Sequence, residues 1–128
     1  MASKTKKMAG ISTAARKQKG RNLQQWTRDC ILKEWQNVLQ QDDIRSTSMG
    51  CSGNDILFSP LGKQHIELNI ECKASKAGFT KVYDAYEQAK SGGTDTPIVI
   101  LKQDRRRVLA VLDAELFFKV WRVWQRHR

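Results

Sequence analysis

The sequence predicts an α/β domain with a central mixed β-sheet flanked by helices. Segments with apolar residues at three- and four-residue spacing alternate with short runs rich in Val, Ile and Leu. The first period belongs to a half-buried helix and the second to strands. The order that results is helix, three strands, helix, two strands, helix. A mixed sheet with helices against its faces is the economical way to bury those surfaces. With 128 residues, there is room for one core.

Leu23, Trp26, Cys30, Ile31, Trp35, Val38 and Leu39 make the apolar face of a first helix, from about Asn22 to Gln41, with Trp26 and Trp35 in the core. Asp42-Asp43 ends it, and Ile44 to Ser48 is a short strand. Gly50 and Ser52-Gly53-Asn54 form a tight loop. Asp55-Ile56-Leu57-Phe58 is the second strand, Ser59-Pro60-Leu61-Gly62 a turn, and Ile66 to Lys73 the third strand, closing a hairpin. Ala74 to Gly78 is small and flexible. Thr80 is placed to cap a helix running to about Ser91, which Gly92-Gly93 stops. Pro97 to Leu101 has the aliphatic character of a strand buried on both faces. Val108 to Leu112 is a further strand, and Asp113 an N-cap for a last helix carrying Leu116, Phe117, Val120, Trp121 and Trp124.

The chain carries 23 Lys and Arg against 13 Asp and Glu, a net charge of +10, and is still 40% hydrophobic. That is a folded domain with a positive field rather than a disordered polycation, and nucleic acid is the first partner it suggests. A membrane-spanning role is disfavoured, because no apolar run approaches ~18 residues. Cys30, Cys51 and Cys72 are odd in number, widely spaced and without CxxC pairs, which fits a reducing, cytoplasmic setting. Residues 1 to 21 hold Lys4, Lys6, Lys7, Arg16, Lys17, Lys19 and Arg21 with no acid. Residues 1–18 therefore read as a basic, largely disordered arm that contacts DNA, and residues 19–128 as a single domain. Further basic clusters are Lys102 with Arg105, Arg106 and Arg107, and Lys119 with Arg122, Arg126, His127 and Arg128.

Chemistry concentrates at Asp55, Glu71 and Lys73. In a strand, Glu71 and Lys73 share a face and Cys72 points to the other. Pairing with the Asp55 strand brings two carboxylates and an ammonium into one small volume. Adjacent carboxylates repel, and a divalent cation relieves that repulsion. The arrangement suggests metal-dependent hydrolysis.

Asp55, a gap of about one hairpin and Glu71-Cys72-Lys73 resemble the PD-(D/E)xK nuclease superfamily, whose restriction-endonuclease-like αβββαβ core has a similar element order. Here an extra strand and a C-terminal helix are added. Lys19-Gly20-Arg21, Leu23-Gln24-Gln25-Trp26, Arg45-Ser46-Thr47-Ser48-Met49-Gly50 and Ile70-Glu71-Cys72-Lys73 are similar to small phage-encoded Holliday-junction-resolvase-like endonucleases, over roughly residues 19 to 118. Asn54 stands where many members carry Pro. The resemblance implies that Asp55, Glu71 and the backbone carbonyl of Cys72 hold Mg²⁺ or Mn²⁺, and that Lys73 orients water and offsets charge on the phosphate. It implies that Gln88, in Tyr86-Glu87-Gln88-Ala89, helps hold the site. The Cys72 side chain reads as a small core residue rather than a nucleophile. Junction resolvases often add an acid from the first helix; that region here reads Gln24-Gln25, with Asp29 and Glu34 as nearby candidates. Lys17, Lys19, Arg21, Arg45, Ser46, Thr47 and Ser48 are the expected DNA contacts.

The expected activity is a metal-dependent DNA endonuclease, structure-selective on branched or duplex DNA and acting in phage recombination or replication, in the host cytoplasm. Symmetric cutting favours a homodimer. The alternatives are a sequence-specific restriction or homing enzyme, for which the chain has little spare recognition surface, and a non-catalytic basic DNA-binding protein. Two carboxylates facing a phosphate argue against the last.

Overall fold

The structure is a computed structural model that describes residues 12–47 and 53–128. The chain divides into two compact units, Met1–Ser75 and Lys76–Arg128. The division falls within the Ala74 to Gly78 stretch read as small and flexible. The class is mixed α/β, and the described strands form two separate two-stranded antiparallel sheets. Among the described residues no helix is long and apolar enough to cross a membrane.

The first unit opens on helix α1, Thr13–Glu34, capped by the Ser12 hydroxyl, which accepts from Ala15 N at 3.2 Å. It starts nine residues before the expected Asn22, so residues 13–18, assigned to the arm, are helical. The dense positive charge there argues for disorder, yet Ala, Lys, Arg and Gln are all good helix formers. The helix also stops at Glu34 instead of Gln41. Trp35 leaves helical geometry at φ −110°, and turns at 35–38 bring both Trp35 and Leu39 inward.

The buried face of α1 is not quite the expected one. Gln24, Thr27 and Ile31 point inward, whereas Trp26 is 43% exposed and outside the core. The helix is rolled by about one residue, or ~100°. Polar Thr27 tolerates the inward position because its hydroxyl donates to Leu23 O at 2.8 Å. The core of this unit is Ile31, Trp35, Leu39, Ile44, Ile56 and Ile66, each at most 2% exposed.

A 3₁₀ turn, Gln41–Asp43, leads into strand β1, Ile44–Ser46, which pairs antiparallel with β2, Ile56–Phe58, in the register Ile44 to Phe58 and Ser46 to Ile56. Arg28 ties this layer to α1, its Nε donating to Ile44 O at 2.8 Å and its Nη2 to Gln41 O at 2.7 Å. The segment Ser59 to Gly62 is not a hairpin turn. It begins helix α2, Pro60–Ile66, with Ser59 as N-cap accepting from Gly62 N at 3.0 Å and Pro60 in the first turn. Ser followed by Pro is a helix start as well as a turn signal, and here the start prevails. Glu67 closes α2 at φ 55°, in the left-handed region.

The strand expected from Ile66 to Lys73 is therefore not formed. Residue 66 ends a helix, and residues 67–75 take no place in a ladder. The hairpin with the Asp55 strand is replaced by the β1–β2 pair and a few contacts from Asp55.

The second unit contains helix α3, Thr80–Ser91, strands β3, Val99–Leu101, and β4, Leu109–Val111, and helix α4, Ala114–His127. Thr80 is the first helical residue rather than the cap; its hydroxyl donates back to Ala77 O at 2.9 Å. β3 and β4 pair antiparallel, Val99 with Val111 and Leu101 with Leu109. β3 is not buried on both faces: Val99 and Leu101 are half-buried, and Ile100 is 67% exposed. The expected N-cap at Asp113 is present, accepting from Leu116 N at 3.0 Å. Along α4, Phe117, Trp121 and Trp124 stack at 5.8 and 4.8 Å between centroids, and Phe118 is buried.

Candidate functional site

Asp55 stands at the entry to β2 and is half-buried. Its backbone joins three segments. Thr47, just past β1, gives both its N–H and its hydroxyl to Asp55 O, at 3.0 and 3.2 Å. Asp55 N donates to Ile70 O at 3.1 Å. Its side chain then reaches the residue that matters most: Cys72 N donates to Asp55 Oδ2 at 2.6 Å, a short charge-assisted bond. Beside it, Asn54 Nδ2 donates to Asn69 Oδ1 at 3.2 Å. Residues 69–72 are thus held against Asp55 without being a strand.

That docking places the Glu71-Cys72-Lys73 tripeptide on the Asp55 carboxylate. Glu71 and Lys73 lie on the same side, Nζ to Oε1 3.6 Å, and both are largely exposed. So open a contact contributes little to stability. Cys72 turns the other way, its thiol donating to Thr27 Oγ1 on α1 at 3.6 Å. Burial is the main influence on the Cys72 thiol and raises its pKa; the Thr27 contact lowers it by less, and the negative charges of Asp55 and Glu71 add smaller increases. A thiol kept protonated is a poor nucleophile. Alternation across 71, 72 and 73 follows the expected pattern even though no ladder enforces it.

The donors fit a hard divalent cation in one specific way. Among the described residues no group of three His, Cys, Asp or Glu side chains is placed to enclose a metal. A closed cage is therefore not available from side chains alone. Mg²⁺, however, commonly binds through one or two carboxylates and keeps water or substrate oxygens for its other positions. Asp55 uses one of its roughly four lone-pair sites on Cys72 N–H, which leaves capacity for a cation. Glu71 is exposed to solvent two residues from Lys73.

Gln88 is exposed on α3, in the second unit. Lys17, Lys19 and Arg21 are exposed on α1; Lys17 and Arg21, four apart, share a face, and Lys19 lies on the opposite side. Arg45 is exposed on β1, while Ser46 is half-buried on the same side of the strand as Ile44. Thr47 spends both donors on Asp55, so it acts as an anchor there. Ser48 lies outside the described residues, as do residues 1–11 of the arm. Asp29 is on the exposed side of α1, paired with Arg28 at 3.2 Å.

Sequence reasoning missed Thr47 as the clamp on Asp55, Thr27 as the partner of Cys72 and Arg28 as the tie across the unit. The first two have no local signature, because each depends on a contact between distant segments. Comparison with family models, curated proteins and solved structures returns no match.

Proposed function

We propose that the first unit carries the active site of a metal-dependent DNA endonuclease. The observation that carries the reading is the Asp55 carboxylate seated on the backbone N–H of Cys72, between Glu71 and Lys73. Asp55, Glu71 and the Cys72 carbonyl are the residues to hold Mg²⁺ or Mn²⁺. Such an ion, when bound, polarises a phosphate oxygen and lowers the pKa of its water. Lys73 is beside Glu71, where an ammonium can orient a water and offset charge on a phosphate. Thr47 and the Asn54–Asn69 contact fix Asp55 relative to that group. The order α1, β1, β2, α2, the 67–75 segment, α3, β3 departs from the αβββαβ core of the PD-(D/E)xK superfamily by the inserted α2 and the missing third strand. We take the irregular 67–75 segment to stand in that strand's place. A single central sheet is part of this proposal.

Net charge of +10 supports DNA as the substrate. We extend the reading to a structure-selective enzyme of phage recombination or replication, a homodimer in the host cytoplasm, with Lys17, Lys19, Arg21 and Arg45 on phosphate. The test uses end-labelled four-way junction, flap, single-stranded and linear duplex DNA with Mg²⁺, Mn²⁺ or EDTA. Glu71→Gln protein runs alongside. Paired symmetric nicks in the junction, absent with EDTA and in the variant, are the expected result. Metal-dependent cutting of other substrates keeps the nuclease and discards the junction. Binding without cutting under any condition refutes the enzyme.

A further inference from the structure

Between β3 and β4 the chain runs Lys102-Gln103-Asp104-Arg105-Arg106-Arg107-Val108. The last paired rung is Leu101 with Leu109, so these residues overhang the ribbon, all of them exposed. Among the described residues Lys102, Arg105, Arg106 and Arg107 take part in neither of the ion pairs at Arg28 with Asp29 and at Lys73 with Glu71. Four cations against the single carboxylate of Asp104 leave the turn with a net charge of +3.

The backbone adds an independent observation. Arg106 N donates to Gln103 O at 3.0 Å, closing a turn in which Arg105 sits at φ 64°. Glycine adopts that left-handed geometry freely, and Asn does so more readily than Arg, because an ordinary Cβ crowds the backbone there. An arginine stands at the position where glycine makes the more stable turn. Two more arginines follow directly, adding repulsion. Folding gains nothing from this choice, whereas a polyanion relieves the repulsion and uses the charge.

We infer that the β3–β4 turn is a docking element for the phosphate backbone of duplex DNA, with Arg105, Arg106, Arg107 and Lys102 as its contacts. Guanidinium forks match phosphate oxygens in pairs. B-DNA presents one negative charge per about 1.7 Å of its axis, dense enough to meet several cations on one short turn. This site goes beyond the carboxylate reading and stands without it, because it concerns binding alone and is measured in EDTA.

The experiment measures full-length protein binding to a short labelled duplex by anisotropy across a salt series, beside thermal unfolding. Arg105→Gly is expected to raise Tm by roughly 2 to 5 °C and to weaken DNA binding about three- to tenfold. Arg106→Ala/Arg107→Ala is expected to reduce the slope of log K against log salt by about 2. An unchanged affinity and slope in the double variant overturns the proposal. So does a joint fall of Tm and affinity in Arg105→Gly, which makes that arginine structural. Phosphatidylserine vesicles form the control; variants that lose vesicle binding and keep DNA binding assign the turn to a membrane and also overturn it.

Discussion

Replacing Asp55 separates its two roles, support of the 69–72 segment and chemistry. Its carbonyl and N–H contacts to Thr47 and Ile70 are backbone bonds and survive a side-chain change. What Asp55→Ala removes is the 2.6 Å bond from Cys72 N. A hydrogen bond to a charged group contributes roughly 1.5–3 kcal/mol, and its loss leaves a half-buried N–H without that acceptor. Asp55→Ala should therefore destabilise the first unit by about 2 kcal/mol. Asp55→Asn keeps an acceptor oxygen and loses only charge assistance, so about 1 kcal/mol is expected. Urea unfolding followed by fluorescence of the fully buried Trp35, in a background where Trp26, Trp121 and Trp124 are replaced by Phe, gives the ranking, and amide exchange at Cys72 gives the local effect. Cys72 N–H should exchange faster in Asp55→Ala and change little in Asp55→Asn. Both variants should lack cutting if the carboxylate charge holds a cation. Unchanged stability and unchanged Cys72 exchange in Asp55→Ala would show that Asp55 does not organise the segment. Full cutting by Asp55→Asn would remove it from the chemistry.

Other consequences are as open to measurement. A Cβ at Gly62 would lie 2.9 Å from Asp43 O and 3.2 Å from Phe58 Cβ, both rigid; Gly62→Ala should cost about 1–3 kcal/mol in urea. Trp35→Ala should cost about 3–5 kcal/mol because the ring is fully buried, and Trp26→Ala far less; equal losses would contradict the roll of α1. The backbone N–H of Gln40 and the Ser59 hydroxyl, at 2.7 and 2.6 Å, hold the Asp43 pKa below its ordinary 3.8. Asp43 therefore contributes stability that is present above its unfolded pKa and lost as pH falls through the lowered folded value. Asp43→Asn should flatten the acid limb of the urea midpoint below about pH 4, and an unaltered limb would refute the assignment.

Elements governed by local chemistry were legible in the sequence. Asp113 as an N-cap, the helix from Thr80 to Ser91 and the strands either side of the basic turn all follow from residues within a few positions of one another. The Ser59-Pro60 pair carried two local meanings, turn and helix start, and nothing nearby chose between them. Packing chose: Ser59 N donates to Asp43 O at 2.9 Å, its hydroxyl to the Asp43 carboxylate, and Ile66 fills the core. The same holds for α1, where Leu23 and Trp26 looked more buriable than Gln24 and Thr27. Their facing was decided by Cys72 and by Arg28 reaching Ile44 and Gln41.

For the candidate site, the sequence by itself determined which residues carry charge and that Glu71 and Lys73 lie on one side with Cys72 opposite. That alternation is a property of the extended backbone. Only the tertiary structure decided how Asp55 meets them, through its carboxylate on Cys72 N–H and its carbonyl on Thr47. Those bonds join residues 8 and 17 positions apart along the chain. Contacts between distant segments depend on how the whole unit packs, and local residue pattern carries no record of them.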